Sequence, residues 1–238
     1  MSSINLKVID VSHYNPITSF QNIYDAGIRG IIHKATQGQS YADPSYATAR
    51  AGSLAAGHLW GAYHFGDDSD PVTQAQHFVS IADPDAETLM ALDFEPNGNS
   101  TMTLDGARAF MQETEKLIGR DCVLYSGNLI KETLGNDVDP YFSARRLWLA
   151  EYGPKAIVPA AWAKPGAWLW QFSDGVVNRN GLSVPGVSGK VDMNSYAGSD
   201  DELAMAWAGE VLDGYSPAPA PASPSLISRV ESYFTGKG

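Results

Sequence analysis

Two carboxylates, Asp93 and Glu95, stand two residues apart at the end of the apolar run Thr88-Leu89-Met90-Ala91-Leu92. Successive side chains of a β-strand alternate faces, so both acids point into one space while Phe94 points the opposite way. Acids sharing a space cannot both ionise at their ordinary pKa values. Each disfavours charge on the other, and burial raises the proton affinity of whichever is drier. A protonated carboxyl beside an ionised one is what glycosidic bond cleavage requires: a proton for the leaving oxygen and negative charge for an oxocarbenium-like centre. A strand that ends in two solvated acids is the competing reading, and the other strand ends bear on the choice.

Along the chain, apolar runs rich in β-formers alternate with helical patterns. Leu6-Lys7-Val8-Ile9 ends at Asp10, Gly30-Ile31-Ile32-His33 at Lys34, and Leu59-Trp60-Gly61-Ala62-Tyr63 at His64. After the acidic pair, Cys122-Val123-Leu124 ends at Tyr125, Leu147-Trp148-Leu149 follows, Trp168-Leu169-Trp170 ends at Gln171, and residues 187–191 end at Asp192. Eight strands are thus expected, with helices over 19–26, 44–56, 71–81 and 104–118. In the last of these, Leu104, Ala107, Phe110, Met111, Thr114, Leu117 and Ile118 recur at helical spacing and Gly119 stops the pattern. This alternation is the cadence of a closed α/β barrel of the TIM-like type, whose active site lies at the C-terminal ends of the strands. Beyond Tyr125 the helices shorten, and Pro/Gly-rich loops over 153–166 and 174–186 replace them, so the second half of the barrel should be degenerate. In such a barrel Asp10, Asp93, Glu95 and Asp192 converge on one pocket although they are far apart in sequence.

Seven segments together resemble glycoside hydrolase family 25: Val8-Ile9-Asp10-Val11-Ser12, Lys34-Ala35-Thr36-Gln37-Gly38, Gly61-Ala62-Tyr63-His64-Phe65, Leu92-Asp93-Phe94-Glu95, Leu147-Trp148-Leu149-Ala150, Leu169-Trp170-Gln171-Phe172 and Val191-Asp192-Met193-Asn194. The resemblance covers residues 4–213, in order. It implies a modified eight-stranded β/α barrel that hydrolyses the β-1,4 bond between N-acetylmuramic acid and N-acetylglucosamine in peptidoglycan, the activity of phage endolysins and of secreted bacterial and fungal lysozymes. It further implies that Glu95 is the catalytic acid, assisted by Asp10, Asp93 and Asp192.

On those roles, Glu95 protonates the leaving oxygen and later takes a proton from water. Asp93 stays ionised, either stabilising the positive ring or orienting the substrate's own 2-acetamido group for attack, with Asp192 the rival for direct nucleophile. Asp10 binds sugar hydroxyls and adds to the field that raises the pKa of Glu95. Tyr63, Tyr125, Trp148 and Trp170 lie near strand ends, where flat rings with a polar edge suit sugar faces; for each, core packing is an equal alternative. Trp60 and Trp168 fall earlier in their strands and are expected in the core. Lys34 is a candidate to hold a carboxylate or meet an anionic substrate group, Gln171 to bond an acetamido group, and His64 to hydrogen-bond in the barrel mouth.

The histidines follow no H-E-x-x-H spacing, so neither a catalytic metal nor another cofactor is expected. Cys122 is the only cysteine and falls mid-strand, which excludes an intramolecular disulfide and predicts simple burial. With 238 residues, 44% of them apolar, the chain can build one barrel core over residues 1–215. A Pro/Ala/Ser-rich linker (216–225) and a short amphipathic helical tail (226–238) follow, and a barrel helix over 200–212 precedes them. The formal charge of −11 disfavours nucleic acid partners. The expected partner is instead a peptidoglycan glycan strand, met by a monomer. A strand beginning almost directly after Met1 and the lack of a 20-residue apolar stretch predict cytoplasmic synthesis without a signal peptide or membrane span, then release to the wall by a holin or another non-classical route.

Two alternatives bear on the function. The chitinase signature D-x-x-D-x-D-x-E asks for Asp where Thr88 and Ala91 stand. A non-catalytic glycan-binding module would have no need of Asp93 and Glu95.

Overall fold

The structure is a computed structural model that describes residues 4–179 and 181–209. Its strands are β1 (Leu6–Val11), β2 (Gly30–Gln37), β3 (Tyr41–Ala42), β4 (Leu59–Phe65), β5 (Leu89–Asp93), β6 (Val123–Ser126), β7 (Leu147–Ala150), β8 (Leu169–Ser173) and β9 (Asp192–Ser195). Its helices are α1 (Phe20–Asp25), α2 (Tyr46–Ala55), α3 (Pro71–Ala82), α4 (Leu104–Ile118), α5 (Asn128–Leu134), α6 (Pro140–Ser143) and α7 (Asp200–Trp207), with one 3-10 turn at Ala160–Trp162. The hydrogen-bonded order β1-β9-β8-β7-β6-β5-β4-β2 closes on itself through β1–β2, giving an eight-stranded barrel with β3 appended to the end of β2.

Apart from the appended β3, which is antiparallel to β2, neighbouring strands run parallel from β1 through β8, as the alternating pattern requires. The last strand departs from expectation. In place of a strand over 187–191 that ends at Asp192, β9 begins at Asp192 and runs antiparallel to both β1 and β8. Because its direction is reversed, its first residue lies at the rim where the other strands finish, and Asp10 faces Asp192 across the β1–β9 ladder. Within the expected strand over 187–191, Val187 is reduced to an isolated bridge to Ile17.

The helices start and stop where local chemistry dictates. Thr103 caps α4 by accepting from the Gly106 N–H, and Gly119 ends it in the left-handed region at φ 68°. Ser199 and Glu202 form a reciprocal capping box on α7. The helix expected over 200–212 is described as far as Trp207, with Ala208 as its cap. The linker at 216–225 and the tail at 226–238 lie outside the described residues.

Strand alternation divides the apolar residues into two layers. Val8, Ile32, Leu89, Ala91, Val123, Trp148 and Leu169 fill the barrel, and Trp207 of α7 joins them as a plug. Close approach requires glycine at position 30, where a Cβ would stand 2.5 Å from the Trp207 ring. The Trp207 indole N–H is satisfied by the Trp60 carbonyl at 2.7 Å. Ile9, Ile31, Ala62, Met90, Leu92, Leu124 and Leu149 face outward against helix residues such as Phe78 and Phe110. Trp60 belongs to this outer layer, while Trp168 packs with the inner cluster. Cys122 is buried, and burial pushes its thiol well above the usual range.

Candidate active site

Above the apolar filling, the uppermost inward layer of the barrel is polar. It contains Asp10 of β1, Lys34 of β2, Tyr63 of β4, Asp93 of β5, Tyr125 of β6, Gln171 of β8, and Asp192 and Asn194 of β9. Ladder register sets neighbours side by side: Lys34 with Tyr63, Asp93 with Tyr125, and Asp10 with Asp192. Glu95 lies past the end of β5, yet the strand's alternation persists. The Phe94 N–H donates to the Tyr125 carbonyl at 2.9 Å and the Ser126 hydroxyl donates to the Phe94 carbonyl at 2.6 Å, so Phe94 is buried on the outer face. Glu95 turns back to the mouth beside Tyr125, which hydrogen-bonds it.

Asp10 is 5% exposed and surrounded by donors. Gln171 Nε2 donates to both of its oxygens at 3.2 and 3.0 Å, and Asn194 Nδ2 donates to Oδ2 at 2.8 Å. The other end of the Gln171 amide accepts from the Tyr125 hydroxyl at 2.9 Å and the Tyr152 hydroxyl at 2.8 Å. Lys34 hydrogen-bonds Gln37 at 2.6 Å, and its ammonium lies 4.9 Å from the centre of the Phe65 ring. Asp93, 7% exposed, is different. Its Oδ1 is buried and finds no hydrogen-bond partner among the described residues.

Four carboxyls thus share a desolvated mouth in which Lys34 is the one cation among the described inward-facing residues. All four hold protons more tightly than usual. Burial, then the Glu95 charge, raises Asp93 well above the ordinary carboxylate range, and Lys34 opposes the rise. Burial, then the Asp10 charge, pushes Asp192 up to about 9. Burial raises Asp10 as well, but its bonds from Asn194, Gln171 and Asp192 hold it to about 6. Glu95 is raised by burial and by Asp10, and lowered by its bond with Tyr125. A cavity of about 260 Å³ lined by Ser12, His13, Phe20, His33, Ser45 and Ala49 lies elsewhere and touches none of these acids.

Paired, proton-retaining carboxyls at the C-terminal rim of a β/α barrel suit glycosidic bond cleavage. The sequence profile of glycosyl hydrolases family 25 matches residues 9–180. The chain belongs to that family. Among family-25 and similar proteins, lysozyme M1 of Streptomyces globisporus is 28% identical over 210 residues, covering 82% of this chain and 69% of its own length. The N,O-diacetylmuramidase of Chalaropsis sp is 29% identical over 184 residues, covering 69% of this chain and 86% of its own. The crystal structure of a bacterial lysozyme from Streptomyces coelicolor superposes with a TM-score of 0.75 at 28% identity, covering 87% of this chain and 99% of that one. The protein is therefore a glycoside hydrolase with the family-25 barrel.

Within this family-25 barrel the structure brings Asp10, Asp93, Glu95, Asp192, Lys34, Tyr63, Tyr125 and Gln171 together, and it separates three others from them. Trp170 precedes the inward Gln171 in β8 and so points outward, where it packs against Phe172 and donates to the Glu151 carbonyl at 2.7 Å. His64 follows the inward Tyr63 and also points outward. It is fully buried, bonded to Thr36 at 2.7 Å and Gln74 at 2.9 Å, and stacked on Phe110 at 4.6 Å. Burial pushes its pKa down to about 4, so it is a neutral core histidine and not a ligand of the mouth. Trp148 points inward against the Tyr125 ring, with centres 4.4 Å apart, and is buried at 1% exposure. Both ends of the Gln171 amide are engaged, by Asp10 on one side and by the two tyrosines on the other. Sequence reasoning assigned no role to Tyr152 or Asn194. Asn194 lay within the Val191-Asp192-Met193-Asn194 segment, two residues from an inward acid, and that period-2 spacing was the available signal. Tyr152 sits in a loop and had none.

Proposed function

We propose that this family-25 hydrolase is a muramidase that cleaves the β-1,4 bond between N-acetylmuramic acid and N-acetylglucosamine in bacterial peptidoglycan, with Glu95 as proton donor and Asp93 as its partner. The similarity to lysozymes and to a muramidase supports the substrate class. The observation that carries the roles is the unpartnered, buried Oδ1 of Asp93.

Burial, then the Glu95 charge, raises the proton affinity of Asp93 well above the ordinary carboxylate range. The sequence-based expectation of a permanently ionised Asp93 thus needs the substrate to complete it. A 2-acetamido N–H arriving at Oδ1 favours the ionised carboxylate, because a hydrogen bond to the charged form stabilises it. The shared proton then belongs on Glu95, which faces the leaving oxygen. Asp93, now anionic, holds the acetamido group with its carbonyl oxygen toward the anomeric carbon and balances the positive charge that develops there. Glu95, left as a carboxylate, accepts a proton from the incoming water, and the product retains its anomeric configuration.

Asp10, Lys34, Tyr63 and Asp192 complete the sugar-binding mouth in this reading. The protein acts as a monomer on glycan strands of the wall, in the manner of a phage endolysin released after cytoplasmic synthesis. No helix among the described residues is long and apolar enough to cross a membrane.

The test is to digest purified peptidoglycan, reduce the products with borohydride and identify the terminal alditols by mass spectrometry. Muramitol ends are expected. Glucosaminitol ends mean a glucosaminidase and 1,6-anhydro ends a lytic transglycosylase, and either as the main product overturns the assignment.

A further inference from the structure

Asp10 and Asp192 oppose each other across β1 and β9, and their carboxyls hydrogen-bond directly. Such a bond needs one proton between two acids. Desolvation by itself places it on the drier group, here Asp10. The hydrogen-bond network says otherwise, and its polarity can be read without ambiguity from one residue.

An asparagine amide can ordinarily sit either way round. Asn194 cannot. One end meets the indole Nε1 of Trp148 at 2.6 Å, and an indole N–H can only donate, so Oδ1 must be at that end. The other end meets the Val8 backbone carbonyl at 3.3 Å, which can only accept, so Nδ2 must be there. The same Nδ2 lies 2.8 Å from Asp10 Oδ2 and therefore donates to it. Gln171 presents Nε2 to Asp10 as well, and its Oε1 accepts from the Tyr152 hydroxyl, which leaves the single Tyr125 proton shared between Gln171 Oε1 and Glu95. Asp10 is left surrounded by N–H groups and, among the described residues, has no acceptor to which a proton of its own could be directed apart from Asp192.

We propose that Trp148 and Asn194 are positioning residues that keep the proton of the Asp10–Asp192 pair on Asp192, so that Asp192 meets the substrate as a neutral hydrogen-bond donor and Asp10 remains the buried anion. The inference concerns the site described above and deepens the muramidase reading. It removes Asp192 as a direct nucleophile, since a protonated carboxyl has no free charge to attack the anomeric carbon, and leaves the acetamido route through Asp93. It also gives Trp148 a task that its burial in the barrel allows. The titratable groups facing the pair are Lys34, Tyr63, Asp93, Glu95, Tyr125, Tyr152 and Asp174. None of them contributes an N–H donor to Asp192 that would reverse the order.

The test reads the carboxyls themselves, without substrate. Protein labelled with ¹³C at the aspartate side-chain carboxyls is titrated by NMR, with the two signals assigned through Asp10→Asn and Asp192→Asn. The wild type is expected to show Asp192 at the protonated carboxyl position through neutral pH and Asp10 at the ionised position. In Asn194→Leu, Asp10 should shift toward the protonated position and Asp192 toward the ionised one. Trp148→Phe frees the amide to turn and should move both signals in the same sense by a smaller amount. A wild-type spectrum with the proton on Asp10, or signals that stay put in a folded Asn194→Leu or Trp148→Phe variant, overturns the proposal. If neither variant folds, the wild-type spectrum decides it. Failure of the muramidase reading would appear in the product analysis and leave these spectra unchanged.

Discussion

Replacing Asp192 by Asn should make the protein more stable at neutral pH. The folded-state value of about 9 for Asp192, against an ordinary value of 3.8, means that folding at pH 7 takes up a proton there. The sign follows from linkage. Between those two values the unfolded chain binds fewer protons than the folded one, so stability falls as pH rises through the window and the penalty vanishes below the unfolded value. Each pH unit is worth about 1.4 kcal/mol, so the roughly three units up to pH 7 amount to about 4 kcal/mol for an isolated group. Asp10 shares the proton and part of the effect, which lowers the expectation to about 2–4 kcal/mol. Asn removes the proton uptake, and its amide N–H can still donate to Asp10. Circular-dichroism melts of both proteins from pH 4 to pH 8 should show a variant Tm on the order of 5–10 °C higher near neutrality, at a few degrees per kcal/mol for a chain of this size. The advantage should shrink steadily toward acid. A variant no more stable than wild type at pH 7, or an advantage independent of pH, refutes the reasoning.

Three further outcomes are expected. Glu95→Gln should lower turnover on peptidoglycan by about two to four orders of magnitude, the usual worth of general acid catalysis, and a turbidity assay retaining most of the activity contradicts its role. His64→Leu leaves the Thr36 hydroxyl without its buried partner, at a cost of about 1–3 kcal/mol, while Gln74 keeps its bonds with Asp67 and Ser69, so urea unfolding should shift while turnover of the folded fraction holds; loss of turnover without loss of stability would return His64 to the site. Because the protein is net negative, raising ionic strength should leave lysis of an anionic wall unchanged or increase it, and a steep decline between low and physiological salt would reveal a basic binding face instead.

What the sequence determined by itself was whatever depends on period-2 alternation within a single strand. Knowing that Asp93 faces inward is enough to place Glu95 on the same side, and knowing that strands alternate with helices every 20–30 residues is enough to bring Asp10 and Asp93 to one rim. The same rule, applied strictly, would also have turned Trp170 outward once Gln171 was taken as inward, and His64 outward once Tyr63 was; nearness to a strand end was weighed there where parity decided. Tertiary structure settled what depends on strand direction, depth and neighbours from distant segments. The antiparallel β9 puts the start of a strand, not its end, beside Asp10, and no local pattern distinguishes the two. Trp148 has the right parity for the mouth but is buried by the rings of Tyr63 and Tyr125, which come from other strands. The proton affinities are likewise collective, since the charges that raise Asp93 come from β1 and β9 as well as from Glu95 just past its own strand, and the charge that opposes them comes from β2. Orientation of the Asn194 amide follows from a single indole N–H 46 residues away, a constraint that exists only once the barrel has closed.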